Sequence, residues 1–227
     1  MCERILSINQ TELQSAAEIY LDRACGLHKE NQKNKTIRRK VYALHDAVAG
    51  SLVIRALIVP LKRMYAGRDC INIHGKHFPC HFLIEIAPES LKALYAFVLT
   101  VGEVPAAGTS MAAALYADMW ATAYISAASD AVREILSRES KAYIPDGVAG
   151  PGYHGMSVSK LRDLFEIVDG SLIGVSLNGD MMEPLKSIAG FYLGFSKEAA
   201  AALSGNPCLN CESSGYGCEF CKFYSQR

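Results

Sequence analysis

MAAALYADMWATAYISAASDAVREILS, residues 111–137, is the stretch on which the fold turns. It is rich in Ala and contains neither Gly nor Pro. At about 1.5 Å per residue it predicts one continuous helix about 40 Å long. Asp118, Thr122, Ser126, Ser129 and Arg133 recur at steps of three or four. They form one narrow polar stripe, with apolar side chains over most of the circumference. Such a helix is central to its domain, and the stripe faces either solvent or a cleft.

Upstream, Cys2–Ile8 alternates loosely and reads as a short strand. Thr11–Leu27 carries Leu13, Ala16, Ala17, Tyr20, Leu21 and Ala24 at helical spacing, with Thr11 as its cap. The run 29–40 holds six Lys or Arg among Asn and Gln and reads as a solvated loop or helix end. Val41–Leu61 is the most apolar window and reads as a buried helix ending near Pro60. His45, Asp46 and Arg55 interrupt it, and a membrane span needs about 20 mostly apolar residues. Cys70–Ile73 and Phe82–Ile86 read as strands around a turn region at Gly75–Pro79, Glu89–Tyr95 as a short helix and Ala96–Val101 as a buried strand. Downstream of the long helix, Ser157 caps a helix over Val158–Val168, and Leu172–Leu177 and Lys186–Leu193 read as strands.

These elements give an α+β protein with a mainly antiparallel sheet flanked by helices and a short Cys-rich C-terminal tail. The expected division is a helical region at 1–65, an α+β core at 66–200 and the tail at 201–227. The 227 residues are half hydrophobic and a fifth charged, enough for a sizeable core. With 23 basic and 23 acidic residues, nothing global directs the chain to nucleic acid or an anionic membrane. The start shows no basic region followed by a long apolar one, so a cytoplasmic location is expected.

In that setting cysteines read as metal ligands or small buried hydrophobes rather than disulfides. Cys2, Cys25, Cys70 and Cys80 are scattered. The other four form Cys208-x2-Cys211-x6-Cys218-x2-Cys221. Two Cys-x-x-Cys turns can wrap one ion tetrahedrally, and both zinc and an iron–sulfur cluster accept four thiolates. The spacing does not select between them. His74, His77, Cys80 and His81 are a weaker cluster, interrupted by Pro79.

The turn Gly150–Pro151–Gly152–Tyr153 leads into the Ser157 helix and is followed directly by His154. Glycines there allow a ligand close to the backbone, and the ring can stack on a flat heterocycle. His154 can donate to a carboxylate or respond to pH near neutrality.

Pro151–Gly152–Tyr153, the helix through Leu164 and Phe165, Ile173–Leu177 and Lys186–Tyr192 follow one another in an order that resembles the S-adenosylmethionine-binding half of the cobalamin-dependent methionine synthase activation domain. Thr100–Glu103 and the long Ala-rich helix resemble stand-alone relatives of that domain. The likeness runs from about Cys70 to Ser196. It implies a curved antiparallel sheet and a role in reactivating cobalamin. It also implies an S-adenosylmethionine site at Gly152, Tyr153 and Tyr192, with Phe191 beside the last; the turn residues Gly150, Pro151 and His154, and Lys186, complete the expected cofactor-binding set. The family's cofactor-binding arginine corresponds to Val148 here. Either another cation such as Lys186 takes its place, or the cofactor is not bound in the family's way.

The resulting expectation is an accessory protein of corrinoid-dependent methyl transfer. Its partner would be a corrinoid-binding protein or methyltransferase subunit, which would supply the cobalamin. Two alternatives stand beside it: a non-catalytic module that binds the corrinoid protein, and a small redox protein whose metal site is the four-cysteine tail.

Overall fold

A computed structural model describes residues 3–24, 26–27, 31–67, 69–80, 88–104, 110–145, 148–153, 156–196 and 198–199. Its centre is a four-stranded antiparallel sheet in the order β1-β2-β5-β8, formed by β1 (Arg4–Ile8), β2 (Ile54–Leu61), β5 (Leu91–Thr100) and β8 (Ser187–Phe195). Between these lie α1 (Gln10–Ala24), α2 (Gln32–Tyr42), α3 (His45–Ala49), the hairpin β3 (Cys70–Ile73) and β4 (Lys76–Pro79), α4 (Met111–Ser140), α5 (Lys160–Phe165), and the hairpin β6 (Ser176–Asn178) and β7 (Met181–Glu183). The expected coarse class, helices flanking an antiparallel sheet, is the one observed.

Alternation along the central strands divides the core into two layers. Phe97, Leu99 and Tyr192 face α1 and α4, whose Leu13, Ala17, Trp120, Tyr124 and Val132 complete that layer. Leu94, Ala96, Val98, Phe191 and Phe195 face the opposite way, toward Phe78, Leu161, Leu164 and Val175. The Trp120 indole donates to Val41 O at 2.9 Å and fastens α2 to α4.

The long helix forms as expected and runs one residue triplet beyond Ser137. Ser110 Oγ accepts from Ala113 N at 3.1 Å at its start, and Lys141 takes a left-handed conformation (φ 53°) at its end. β3 also matches its expectation. The basic run becomes the mostly exposed α2, capped by Asn31, whose Oδ1 accepts from Asn34 N at 2.8 Å.

Several local expectations are corrected. Val41–Leu61 is not one helix: α2 ends, α3 makes a single short helix, and β2 follows. The stretch 1–65 therefore contributes three helices and also two of the four central strands. β5 starts at Leu91, so Glu89–Tyr95 is not a helix beyond the 3-10 turn Pro88–Ser90. Both faces of this strand are buried, and a continuous apolar run has no period to tell it from a helix. Asn9, not Thr11, caps α1, its Oδ1 accepting from both Thr11 N (3.0 Å) and Thr11 Oγ1 (2.9 Å). The Ser157 helix is reduced to α5. Within Leu172–Leu177, Gly170–Ile173 is a 3-10 turn closed by Gly174 at φ 79°, leaving only Ser176 and Leu177 in β6. The β3–β4 turn is His74–Gly75, both with positive φ, the two-residue pattern that suits a tight hairpin. Residues 82–86, read as a strand, and the tail lie outside the described residues. Among the described residues no helix is long and apolar enough to cross a membrane.

Candidate functional site

The polar stripe of α4 meets neither open solvent nor an empty cleft along most of its length. Lys186 Nζ lies 2.7 Å from Asp118 Oδ1 and donates to Thr122 Oγ1 at 2.9 Å. The Tyr192 hydroxyl bonds Ser129 Oγ at 3.0 Å and donates to Ser129 O at 3.2 Å. Arg133 Nη1 donates to Ile144 O at 3.3 Å. The stripe is thus a polar seam joining α4 to β8 and to the chain that follows α4.

Tyr192 is 1% exposed and stacks on Phe97 with ring centroids 4.1 Å apart. Burial pushes its phenol well above the usual tyrosine range, the hydrogen bond from Ser129 working against that shift. A residue so enclosed lines no open surface. Tyr192 and the exposed Tyr153 therefore do not line one site, contrary to the expected shared cofactor site.

Past α4 the chain doubles back along the free edge of β8. Tyr143 and Phe195 exchange two backbone hydrogen bonds (2.9 and 2.8 Å), and Ala149 and Phe191 exchange two more (3.3 and 2.7 Å). Just beyond the Ala149–Phe191 pair the two backbones press together at Gly150 and Gly190. A Cβ on Gly150 would lie 2.6 Å from Ala189 O, and one on Gly190 would lie 2.6 Å from both Ala149 O and Val148 Cγ1. These glycines are required by close approach.

Gly150–Tyr153 then forms a type II turn. Tyr153 N donates to Gly150 O at 2.8 Å, Pro151 occupies the second position, and Gly152 the third at φ 90°. Gly152 N donates to Met156 O at 2.8 Å and Met156 N to Tyr153 O at 3.0 Å, closing the loop. The identities of Pro151 and Gly152 follow from turn geometry alone. What the turn presents is Tyr153, 61% exposed, beside the exposed Val158, whose Cγ2 lies 3.7 Å from where a Gly152 Cβ would sit. Val148, at the position of the family's arginine, packs half-buried against the α4-side core.

Of the residues named from sequence, the fold brings Gly150, Pro151, Gly152 and Tyr153 to one edge beside Phe191. Tyr192 is on the same strand but on its inner face, and Lys186 is held at the mouth of the seam. His154 and the four tail cysteines lie outside the described residues. In the weaker cluster, His77 Nδ1 bonds Asn72 Oδ1 at 2.8 Å and Cys80 is fully buried. Among the described residues no three His, Cys, Asp or Glu stand together to hold a metal. Cys70 and Cys80 are buried and in no disulfide, and burial raises the Cys70 thiol, as suits small hydrophobes rather than reactive groups.

Two features escaped the sequence. His45, only 12% exposed at its side chain, lies with Nε2 2.8 Å from the Tyr124 hydroxyl and Nδ1 2.8 Å from Asp46 Oδ1. A neutral ring can donate to the carboxylate and accept from the phenol at once. Burial, then Glu18 and Asp46, push the Tyr124 phenol up to about 12. The second is a cavity of about 730 Å³ at the end of the sheet where β2 finishes and β5 starts. No spacing in the sequence joins residues 60–66 to 89–95; only the β2–β5 register does.

A scan against protein-family models gives no match, and a search of curated proteins gives none.

Proposed function

We propose that this chain is an accessory protein of corrinoid-dependent methyl transfer that docks on a corrinoid-binding partner. The observation that carries the reading is the β8 edge. There the residues of the resemblance to the methionine synthase activation domain, Pro151–Gly152–Tyr153 and Lys186–Tyr192, form one structural unit through the Ala149–Phe191 pairing. That unit projects Tyr153, an aromatic of the type enriched at protein interfaces.

Three further observations favour the docking role over an S-adenosylmethionine pocket of the family's kind. The arginine position holds a packed valine, Lys186 is engaged by Asp118, and the Tyr192 hydroxyl is engaged by Ser129. A cofactor carboxylate is best held by a charged donor, and Lys186, the cation of this unit, is already paired with Asp118.

The test is calorimetric titration of the full chain with a cobalamin-loaded corrinoid protein, with and without S-adenosylmethionine. Saturable binding that Tyr153→Ala weakens by roughly tenfold, the loss of one aromatic anchor, is the expected result. Absence of binding to the loaded partner by a folded sample overturns the reading. Tight binding of S-adenosylmethionine to the chain alone would replace docking by a cofactor-bearing role.

A further inference from the structure

The cavity beyond the end of β1 is built mainly from two segments distant in sequence, with Ser140 at the end of α4 beside them. Leu61, Lys62, Arg63 and Met64 come from the end of β2 and the 3-10 turn after it, and Lys92 and Tyr95 from the start of β5. Its volume of about 730 Å³ is that of a small-molecule site, for which about 300–1,000 Å³ is typical. β1 does not reach this end, its last described pair being Arg4 with Ile58. On the other strand, the β5–β8 ladder slips between Leu91 and Ala93, a bulge that lifts Lys92 out of the regular alternation.

Around apolar walls the cavity gathers three cations, Lys62, Arg63 and Lys92, against one carboxylate, Glu89. Elsewhere several described lysines and arginines find carboxylates: Lys76 with Asp163 and Glu166, Lys160 with Asp163, Arg162 with Asp180, Lys186 with Asp118. Among the described residues none of the three cavity cations has an ionic partner. Like charges brought together raise the local positive potential, which favours an anion there. An extended peptide added along β2 is disfavoured, because Pro60 has no N–H to continue a ladder at this edge.

From this juxtaposition we infer that the cavity binds a small organic anion, a carboxylate or phosphate monoester on an apolar body, with Lys62, Arg63 and Lys92 holding the charge and Leu61, Met64 and Tyr95 the body. The site is at a different part of the molecule from the Tyr153 turn, and the inference does not depend on the docking role.

The experiment uses the full chain and four probes: octanoate, octyl phosphate, octanol and inorganic phosphate, followed by calorimetry and by amide shifts in NMR. Binding of octanoate or octyl phosphate is expected, with shifts centred on residues 61–64 and 91–95, and the tighter of the two identifies the head group. Octanol and inorganic phosphate should each bind at least roughly tenfold more weakly, since each lacks one half of the recognition. Added salt should weaken the anionic probes. Lys92→Glu should lower their affinity roughly tenfold or more. Arg63→Glu, outside any strand, should do the same and guards against a folding effect at the bulge. Octanol binding as well as octanoate, phosphate binding as well as octyl phosphate, shifts elsewhere, or no effect of either charge reversal in a folded protein overturns the inference.

Discussion

Gly190→Ala tests the close approach that builds the β8 edge. The new Cβ would stand 2.6 Å from Ala149 O and 2.6 Å from Val148 Cγ1, with Gly150 Cα at 3.1 Å. Two of those three atoms are backbone, so rotamer changes cannot relieve the clash. Either the core absorbs the extra methyl at about 1–3 kcal/mol, or the 148–150 segment lifts away. Lifting sacrifices both Ala149–Phe191 hydrogen bonds, at about 1 kcal/mol each. A loss of about 3 kcal/mol therefore covers both routes, which for a chain of this size corresponds to a fall in Tm of about 6–12 °C. Gly179→Ala is the control: its φ is 66°, but nothing lies within 4 Å of the added carbon. Backbone strain alone should cost it about 1 kcal/mol, or about 2–4 °C. Thermal unfolding followed by circular dichroism gives the comparison, and hydrogen exchange at Ala149 and Phe191 reports which route is taken. If Gly190→Ala loses no more than Gly179→Ala, the backbones are not in contact and the edge unit that supports the docking role is wrong.

Val148→Arg should lower Tm by a few degrees, because about 1 kcal/mol of aliphatic packing is lost, and should give no new heat in an S-adenosylmethionine titration; a tenfold gain in affinity would mean that the cofactor uses this edge after all. Raising the pH above 10 should erode stability, since a phenol whose folded pKa is raised stabilises fully below its ordinary value and loses that contribution as the pH climbs toward about 12. Tyr124→Phe should make that alkaline limb shallower in a pH series of denaturation midpoints, the buried Tyr192 phenol supplying the rest, and an unchanged limb would place the titration elsewhere. For the tail, Cys208, Cys211, Cys218 and Cys221 should hold one zinc or one iron–sulfur cluster in protein purified without oxygen or chelator; elemental analysis finding less than about 0.2 equivalents of any metal removes the metal reading.

What could be read from the chain divides along a physical line. α4 was legible because nothing in residues 111–137 breaks a helix and its polar residues keep one period. The Pro-Gly-Tyr turn was legible because Pro and a positive-φ Gly each have a local reason to be there. β2 was not, because Ile54–Leu61 is buried enough on both faces to lose its alternation, and it follows two genuine helical segments without a Pro between them. Gly50, Ser51 and the β-branched Val53, Ile54, Ile58 and Val59 were the available signal for ending the helix early.

The same line separates the candidate sites. Gly150 and Gly152 could be named from sequence, but the sequence suggested a ligand as their reason, whereas the fold gives a backbone contact and a turn. Tyr192 sits in the strand as expected, yet whether it meets a cofactor or a helix depends on which face of β8 it occupies. That is fixed by its register with Tyr95, which brings its ring onto Phe97, and by the Ser129 hydroxyl 63 positions away. The cavity cations are the extreme case: Lys62 and Arg63 reach Lys92 only because β2 lies against β5 with Leu61 opposite Leu94. Local chemistry thus identifies where the backbone must bend, and pairing across the sheet decides which side chains are left to do anything else. Among the described residues these include Tyr153 at one edge and three cations at the far end of the central strands.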